Sequence, residues 1–301
     1  MTDKAASPPI VEPLVMIPGL IGDAVLFEPQ LRALSGVLPV MVAPPAGGDR
    51  IEVIARHLLD QLPARFALLG HGLGGVVAME LCRRAPERIT RLCLMSTTPL
   101  PDTPDQAAAR EPLIIRARTG RLEDVLATAL PPEALAPSPQ RMEILGQLHT
   151  QALMLGEAFF VARARAMQRR TDQQGSLRRF RGATLVICGD ADPITPVKRH
   201  EFMATLMPNA RLHVVQGAGH VPTLEKPQEV ITVLAEWLAQ DTVDPAESPR
   251  ESEAPQEVQQ PNQAAVAEGP AETADTTEPT EPTETAEKGK PLPPLTLTNP
   301  L

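Results

Sequence analysis

The sequence predicts an α/β protein: a mostly parallel sheet of about six strands with helices on both faces. Three observations carry that expectation. Short apolar runs alternate with stretches of helical periodicity along residues 12–240. The runs are apolar throughout rather than at every second residue, which calls for burial of both strand faces. Chain sterics then make the connections between parallel strands right-handed.

In order, LVMIPG (14–19) and VLPVMVAPP (37–45) read as strands and IEVIARHLLDQL (51–62) as a helix. FALLGH (66–71) is a strand, LGGVVAMELCRRA (73–85) a helix and ITRLCLMS (89–96) a strand. Residues 104–178 break the alternation. Leu145, Leu148, Met154, Phe159 and Phe160 stand there among arginines and alanines with no strand pattern. Ligands of open parallel sheets bind at the carboxyl ends of the strands, so a helical insertion after the fourth strand is expected to lie there as a lid. The alternation resumes with ATLVICGD (183–190), a helix near 198–206, RLHVVQG (211–217) and the helix EVITVLAEWLAQ (229–240).

Charge is unevenly spread. The chain carries −9, and from Asp241 onward there are thirteen acidic and three basic residues, so residues 1–240 carry only +1. A near-neutral domain offers no electrostatic reason to bind nucleic acid or an anionic membrane surface. Residues 241–301, with eleven prolines and stretches such as EPTEPTE, have too little apolar mass to offset the entropy of ordering and read as a disordered acidic tail. Within it, KPLPPLTL (290–297) has the composition of a polyproline-type motif for a protein partner. Residues 1–11 read as a flexible N-terminus without a signal pattern. No run of 18 apolar residues exists. Cys82, Cys93 and Cys188 lie in apolar runs without metal-site spacing, which implies reduced thiols, no metal and a cytoplasmic setting.

The chemistry concentrates in LLGHGLGGVVAM (68–79). Gly70-His71-Gly72-Leu73-Gly74 is one residue away from G-x-S-x-G, the strand-to-helix elbow that exposes a nucleophilic serine. Gly70-x-Gly72-x-x-Gly75 also spells a dinucleotide fingerprint. That second reading requires an acid at the end of the following strand, and LMSTTP has none. Other stretches favour the elbow. IPGLIGD (17–23) places a Gly-rich turn after the first strand, suited to aiming an N–H at a developing oxyanion. CGDADPITP (188–196) and GAGHVPTLEKP (217–227) put Asp192, with Asp190 as a competing acid, and then His220 at the ends of later strands. Acid and then histidine, downstream of the elbow, is the order of the α/β hydrolases.

On these motifs residues 12–240 resemble the α/β-hydrolase superfamily, in particular its small bacterial lid-bearing esterases and lactonases of the 3-oxoadipate enol-lactonase type. RLCLMSTTP, RGATLVICGDADPITP and GAGHVPTLEKPQEV carry the likeness. The resemblance implies a carboxylic-ester or lactone hydrolase acting on a small acyl or lactone-type ligand without a cofactor. Asp192 would orient the base His220, and the N–H groups of Leu20 and Leu73 would form the oxyanion hole.

The departure is central. Gly72 stands where the family has its serine, and glycine cannot form an acyl-enzyme. Three alternatives follow. The His220–Asp192 dyad could activate water or abstract a substrate proton. The chain could be a non-catalytic ligand-binding or scaffolding protein, as in the N-myc downstream-regulated family, which is similar in lacking the elbow serine. The dinucleotide reading stands last. Ser96 and Thr97, at the end of the strand after the elbow, are expected to be satisfied locally. His57, His149, His200 and His213 occur singly and are expected to be surface or satisfied core residues. Arg163, Arg165, Arg169 and Arg170 are expected on a solvated helix face, with an anion-recognition patch as the alternative.

Overall fold

The computed structural model describes residues 12–240. The expectations for residues 1–11 and 241–301 lie outside them. Strands β1 (Leu14–Ile17), β2 (Val40–Val42), β3 (Phe66–His71), β4 (Ile89–Met95), β5 (Ala183–Gly189) and β6 (Ala210–Val215) form one sheet in the order β2-β1-β3-β4-β5-β6. Every neighbouring pair is parallel. The four inner strands are buried along their whole length, whereas β2 and β6, at the edges, are half-buried.

The two-residue period of the strands separates two cores. Val15, Ile17, Phe66, Leu68, Leu92, Leu94 and Val186 face one side. There they pack against α2 (Ile51–Leu59), α3 (Leu73–Arg84) and α9 (Val197–Thr205). Leu14, Met16, Leu69, Cys93, Met95, Leu185 and Ile187 face the other, against α1 (Glu28–Leu34) and α11 (Pro227–Leu238). A continuous apolar strand is thus two interleaved half-patterns. Helix α1 escapes the sequence reading because EPQLRAL is seven residues long with a proline in its first turn. The short α10 (Pro222–Glu225) escapes it for its length.

The insertion consists of α4 (Pro104–Arg118), α5 (Leu122–Ala129), α6 (Arg141–Leu155), α7 (Glu157–Gln168) and α8 (Gln174–Arg179). Thr103 opens α4 with a reciprocal capping box to Gln106. Ile114, Val125, Leu126, Phe160 and Ala164 give the insertion its own small core.

Its arginines correct the sequence expectation. Arg163 is fully buried and Arg170 nearly so. Arg165 pairs with Glu111, Arg169 with Asp49, and Arg170 with Asp102. Arg163 and Arg170 thus leave the expected solvated face, Arg165 is half-buried, Arg169 stays exposed, and the four form no common anion patch. α7 is amphipathic in a sense that hydrophobicity misses, because its buried side carries a guanidinium. No helix among the described residues is long and apolar enough to cross a membrane.

The end of β3 approaches its neighbours too closely for side chains. A Cβ on Gly74 would run into the Ile17 carbonyl oxygen, and one on Gly70 into the Gly74 carbonyl. The expected consequence is positional. Gly74→Ala lowers stability in urea unfolding by about 3 kcal/mol, the cost of overpacking against backbone. Gly146→Ala, in open space on α6, raises it by about 0.5–1 kcal/mol.

Candidate functional site

The turn after β3 gives the site its shape. Gly72 has φ +54° and ψ −116°, a conformation that side chains resist. Its N–H donates to the Met95 carbonyl (3.0 Å), and its own carbonyl accepts from Thr97 Oγ1 (2.7 Å). The elbow is therefore pinned to the end of β4. There is room at its tip: a Cβ on Gly72 would lie 3.7 Å from Gly19 Cα and 3.9 Å from His220 Nε2, ordinary contact distances. Gly75 has a packing role, because a Cβ there would meet Thr97 at 2.6 Å. Close packing and one positive φ thus account for Gly70, Gly72, Gly74 and Gly75 without a phosphate.

His220 and Asp192 are brought together. His220 Nδ1–H donates to Asp192 Oδ2 at 2.9 Å, which leaves Nε2 on the side of Gly72. Asp192 is buried and also accepts from the N–H groups of Ile194 (2.8 Å) and Thr195 (3.0 Å) and from Thr195 Oγ1 (2.6 Å). Burial alone would raise its carboxyl pKa. The His220 ring and the Thr195 hydrogen bonds outweigh burial and bring it down to about 2. Asp190, the competing acid, instead accepts from the Gly217 N–H.

The N–H groups of Leu20 and Leu73 have no acceptor among the described residues. Both residues line the cleft beside Gly72. Leu73 opens α3, where the first N–H groups have no intrahelical partner. The cleft is mostly apolar. Leu26, Val76, Leu130, Leu148 and Met167 contribute to its walls, so the insertion closes one side of it.

Several groups around the site escaped the sequence reading. His71 Nε2–H donates to the His220 carbonyl (2.8 Å), and its buried Nδ1 has no partner among the described residues. His200 accepts the Thr97 N–H on Nε2 (3.2 Å). Burial holds both rings neutral, with pKa values pushed down to about 3 for His71 and about 4 for His200. Glu225 accepts from the N–H groups of Gly219 (2.8 Å), Val221 (2.9 Å) and Ala136 (2.7 Å), so it ties the His220 loop to the insertion.

Arg163 reaches from α7 to donate to the carbonyls of Gly19 (2.9 Å), Leu20 (3.0 Å), Gly22 (2.8 Å) and Pro45 (3.2 Å). It braces the turn that carries the Leu20 N–H. Ser96 departs from expectation. It has φ +46°, and its buried Oγ is without a partner among the described residues, whereas Thr97 is satisfied. His149 donates to the Leu130 carbonyl and His213 pairs with Glu229, as befits residues outside the site. The three cysteines are buried, and burial pushes their thiols up, so none offers a thiolate.

Comparison with known proteins identifies the family and the fold. Residues 17–233 match the model of the alpha/beta hydrolase family. A pimeloyl-[acyl-carrier protein] methyl ester esterase of Aromatoleum aromaticum is 30% identical over 220 residues, 68% of this chain and 86% of that protein. The structure of a thermophilic esterase from Thermogutta terrifontis superposes with a TM-score of 0.67 at 25% identity, covering 75% of this chain and 89% of that one. The enol-lactonase of Burkholderia xenovorans LB400 shares the fold with a TM-score of 0.69 at 19% identity, covering 79% and 94%.

Two outcomes follow. His200 has a depressed folded pKa, so the unfolded chain binds the proton first. Its contribution to stability is complete above pH 6.5 and is lost as pH falls toward about 4. Urea midpoints fall across that window, and they fall less steeply in His200→Gln, which keeps an acceptor for Thr97 but does not titrate. Arg163→Met leaves several buried carbonyls without a donor and costs about 3 kcal/mol in the same assay. Arg163→Lys recovers only part of that, because an ammonium lacks the planar fork.

Proposed function

This chain belongs to the alpha/beta hydrolase family, and on that premise we propose that it binds a carboxylic ester or lactone in the elbow cleft without forming an acyl-enzyme. One observation carries the reading: the Asp192-oriented His220 ring faces a glycine Cα where a serine hydroxyl would stand. The ester carbonyl sits against the N–H groups of Leu20 and Leu73, its acyl chain lies along the apolar wall, and residues 104–178 act as the lid. The relatives named above as a methyl ester esterase and an enol-lactonase support this ligand class.

A second reading is favoured by the intact His220–Asp192 hydrogen bond and the unengaged Leu20 and Leu73 N–H groups. His220 Nε2 takes a proton from water while the water oxygen bonds to the ester carbon. The carbonyl electron pair moves onto the oxygen held by the two N–H groups. Collapse breaks the bond to the leaving alkoxide, which receives the proton from His220. Acid and alcohol are the products, with no covalent enzyme intermediate.

p-Nitrophenyl butyrate hydrolysis separates these readings. Gly72→Ser is expected to raise turnover by about 10³-fold or more, since loss of the nucleophile in a serine hydrolase costs still more. It lowers stability by about 1–3 kcal/mol through the positive φ. A Gly72→Ser variant that folds, binds the ester and stays inert would overturn the proposal. Native turnover that falls at least about tenfold in His220→Ala establishes the water mechanism, one proton-transfer catalyst being worth at least that much.

A further inference from the structure

Next to the elbow cleft lies a second chamber, and the two share Leu20, Thr98, Arg110, Met167 and Ile194 as common wall. Its other lining mixes apolar side chains such as Leu113 and Phe160 with Gln106, Thr128 and Thr195, and it carries one group of charges. Arg110, Arg170 and Arg199 line the chamber together with a single carboxylate, Asp102. Asp102 is almost wholly buried and serves two guanidinium groups, Arg110 Nε at 2.5 Å and Arg170 at 2.6 Å. Arg170 spends its remaining contacts on the Leu100 and Met167 carbonyls. Arg199 is exposed, and while its backbone N–H donates to the Pro196 carbonyl, its guanidinium has no hydrogen-bond or ion-pair partner among the described residues. Three cations and one anion leave this chamber with an excess of two positive charges.

The excess is held against local preference. Lys198 and Arg199 occupy the first turn of α9, which carries no acidic residue. That is the positive end of the helix dipole, where cations are disfavoured. Arg110 and Arg199 both repel Arg170. His200, on the same turn, anchors α9 to the segment after β4 and so holds Arg199 at the second chamber. An anion entering the chamber would relieve the repulsion, meet the unpaired guanidinium of Arg199 and find the open donors of Arg110.

We propose that the second chamber is a carboxylate subsite: the ligand is an ester whose acyl chain ends in a carboxylate, with the ester at Gly72 and the carboxylate between Arg110 and Arg199. This rests on the ester-binding reading of the first cleft and adds the class of ester. The neutral part of the ligand follows the apolar wall shared by the two spaces. Arg199 sets the charge preference as a binding residue, outside the reacting atoms.

The test is isothermal titration of the full chain with the monomethyl esters of glutarate, adipate and suberate, and with the matching dimethyl esters. At least one half-ester binds about tenfold tighter than its neutral partner, the factor of a single charge-assisted hydrogen bond. Arg199→Gln and Arg110→Gln reduce that preference, and added salt weakens it. Binding of both ester types with equal affinity overturns the carboxylate subsite while leaving the ester cleft standing. Tighter binding of a phosphate monoester than of the half-esters overturns the carboxylate assignment. If neither ester type binds and Gly72→Ser is inert, the ester reading fails. Glutarate alone then decides the subsite: it raises the melting temperature of the native chain but not of Arg199→Gln, or the subsite is overturned.

Discussion

Everything in the site depends on how closely the backbone of the elbow is pressed against its neighbours. Gly74 lies against the Ile17 carbonyl at the end of β1, Gly70 against Gly74, and Gly75 against Thr97 after β4. These contacts draw three strand ends to one point. They also leave the tip of the turn, at Gly72, no relaxed conformation. The glycine-rich turn followed by the positive end of α3 places the Leu73 N–H at the base of the cleft. The turn after β1 supplies Leu20 from the other side, so two N–H groups converge because two strands do.

Around that point the protein uses neutral or doubly engaged polar groups to fix orientation. His71 props the His220 backbone, His200 holds Thr97, and Glu225 gathers three N–H groups from two segments. Arg163 does the same for carbonyls, from the insertion side. Buried polar networks of this kind favour one arrangement because each member left unpaired would be costly. The insertion is therefore part of how the turn after β1 and the histidine loop are held, as well as a wall of the cleft.

The inner strands were legible because burial on both faces writes a continuous apolar run. FALLGH and its turn coincide with β3 and the start of α3 almost residue for residue. Asp192 and His220 were legible because strand-end loops carry their own glycine and proline signals. Arg163, Glu225, His71 and His200 were not, since each acts on backbone atoms up to 149 residues away. Nothing in local periodicity distinguishes an arginine that will meet carbonyl oxygens from one that will meet water. The charge excess around Arg199 was hidden for a related reason, because Asp102, Arg110, Arg170 and Arg199 come from three separate segments.

Gly72 has one more consequence, which concerns amounts rather than geometry. An enzyme with a serine at this turn depletes its ester. A cleft that holds the same ester and releases it unchanged comes to equilibrium with the surrounding pool. Its occupancy then follows ligand concentration, and the stability of the fold follows occupancy, rising by about 2.7 kcal/mol when free ligand reaches a hundred times Kd. On the proposed reading the elbow would work as a gauge: how long the chain survives unfolding and proteolysis would become a record of how much ester is present.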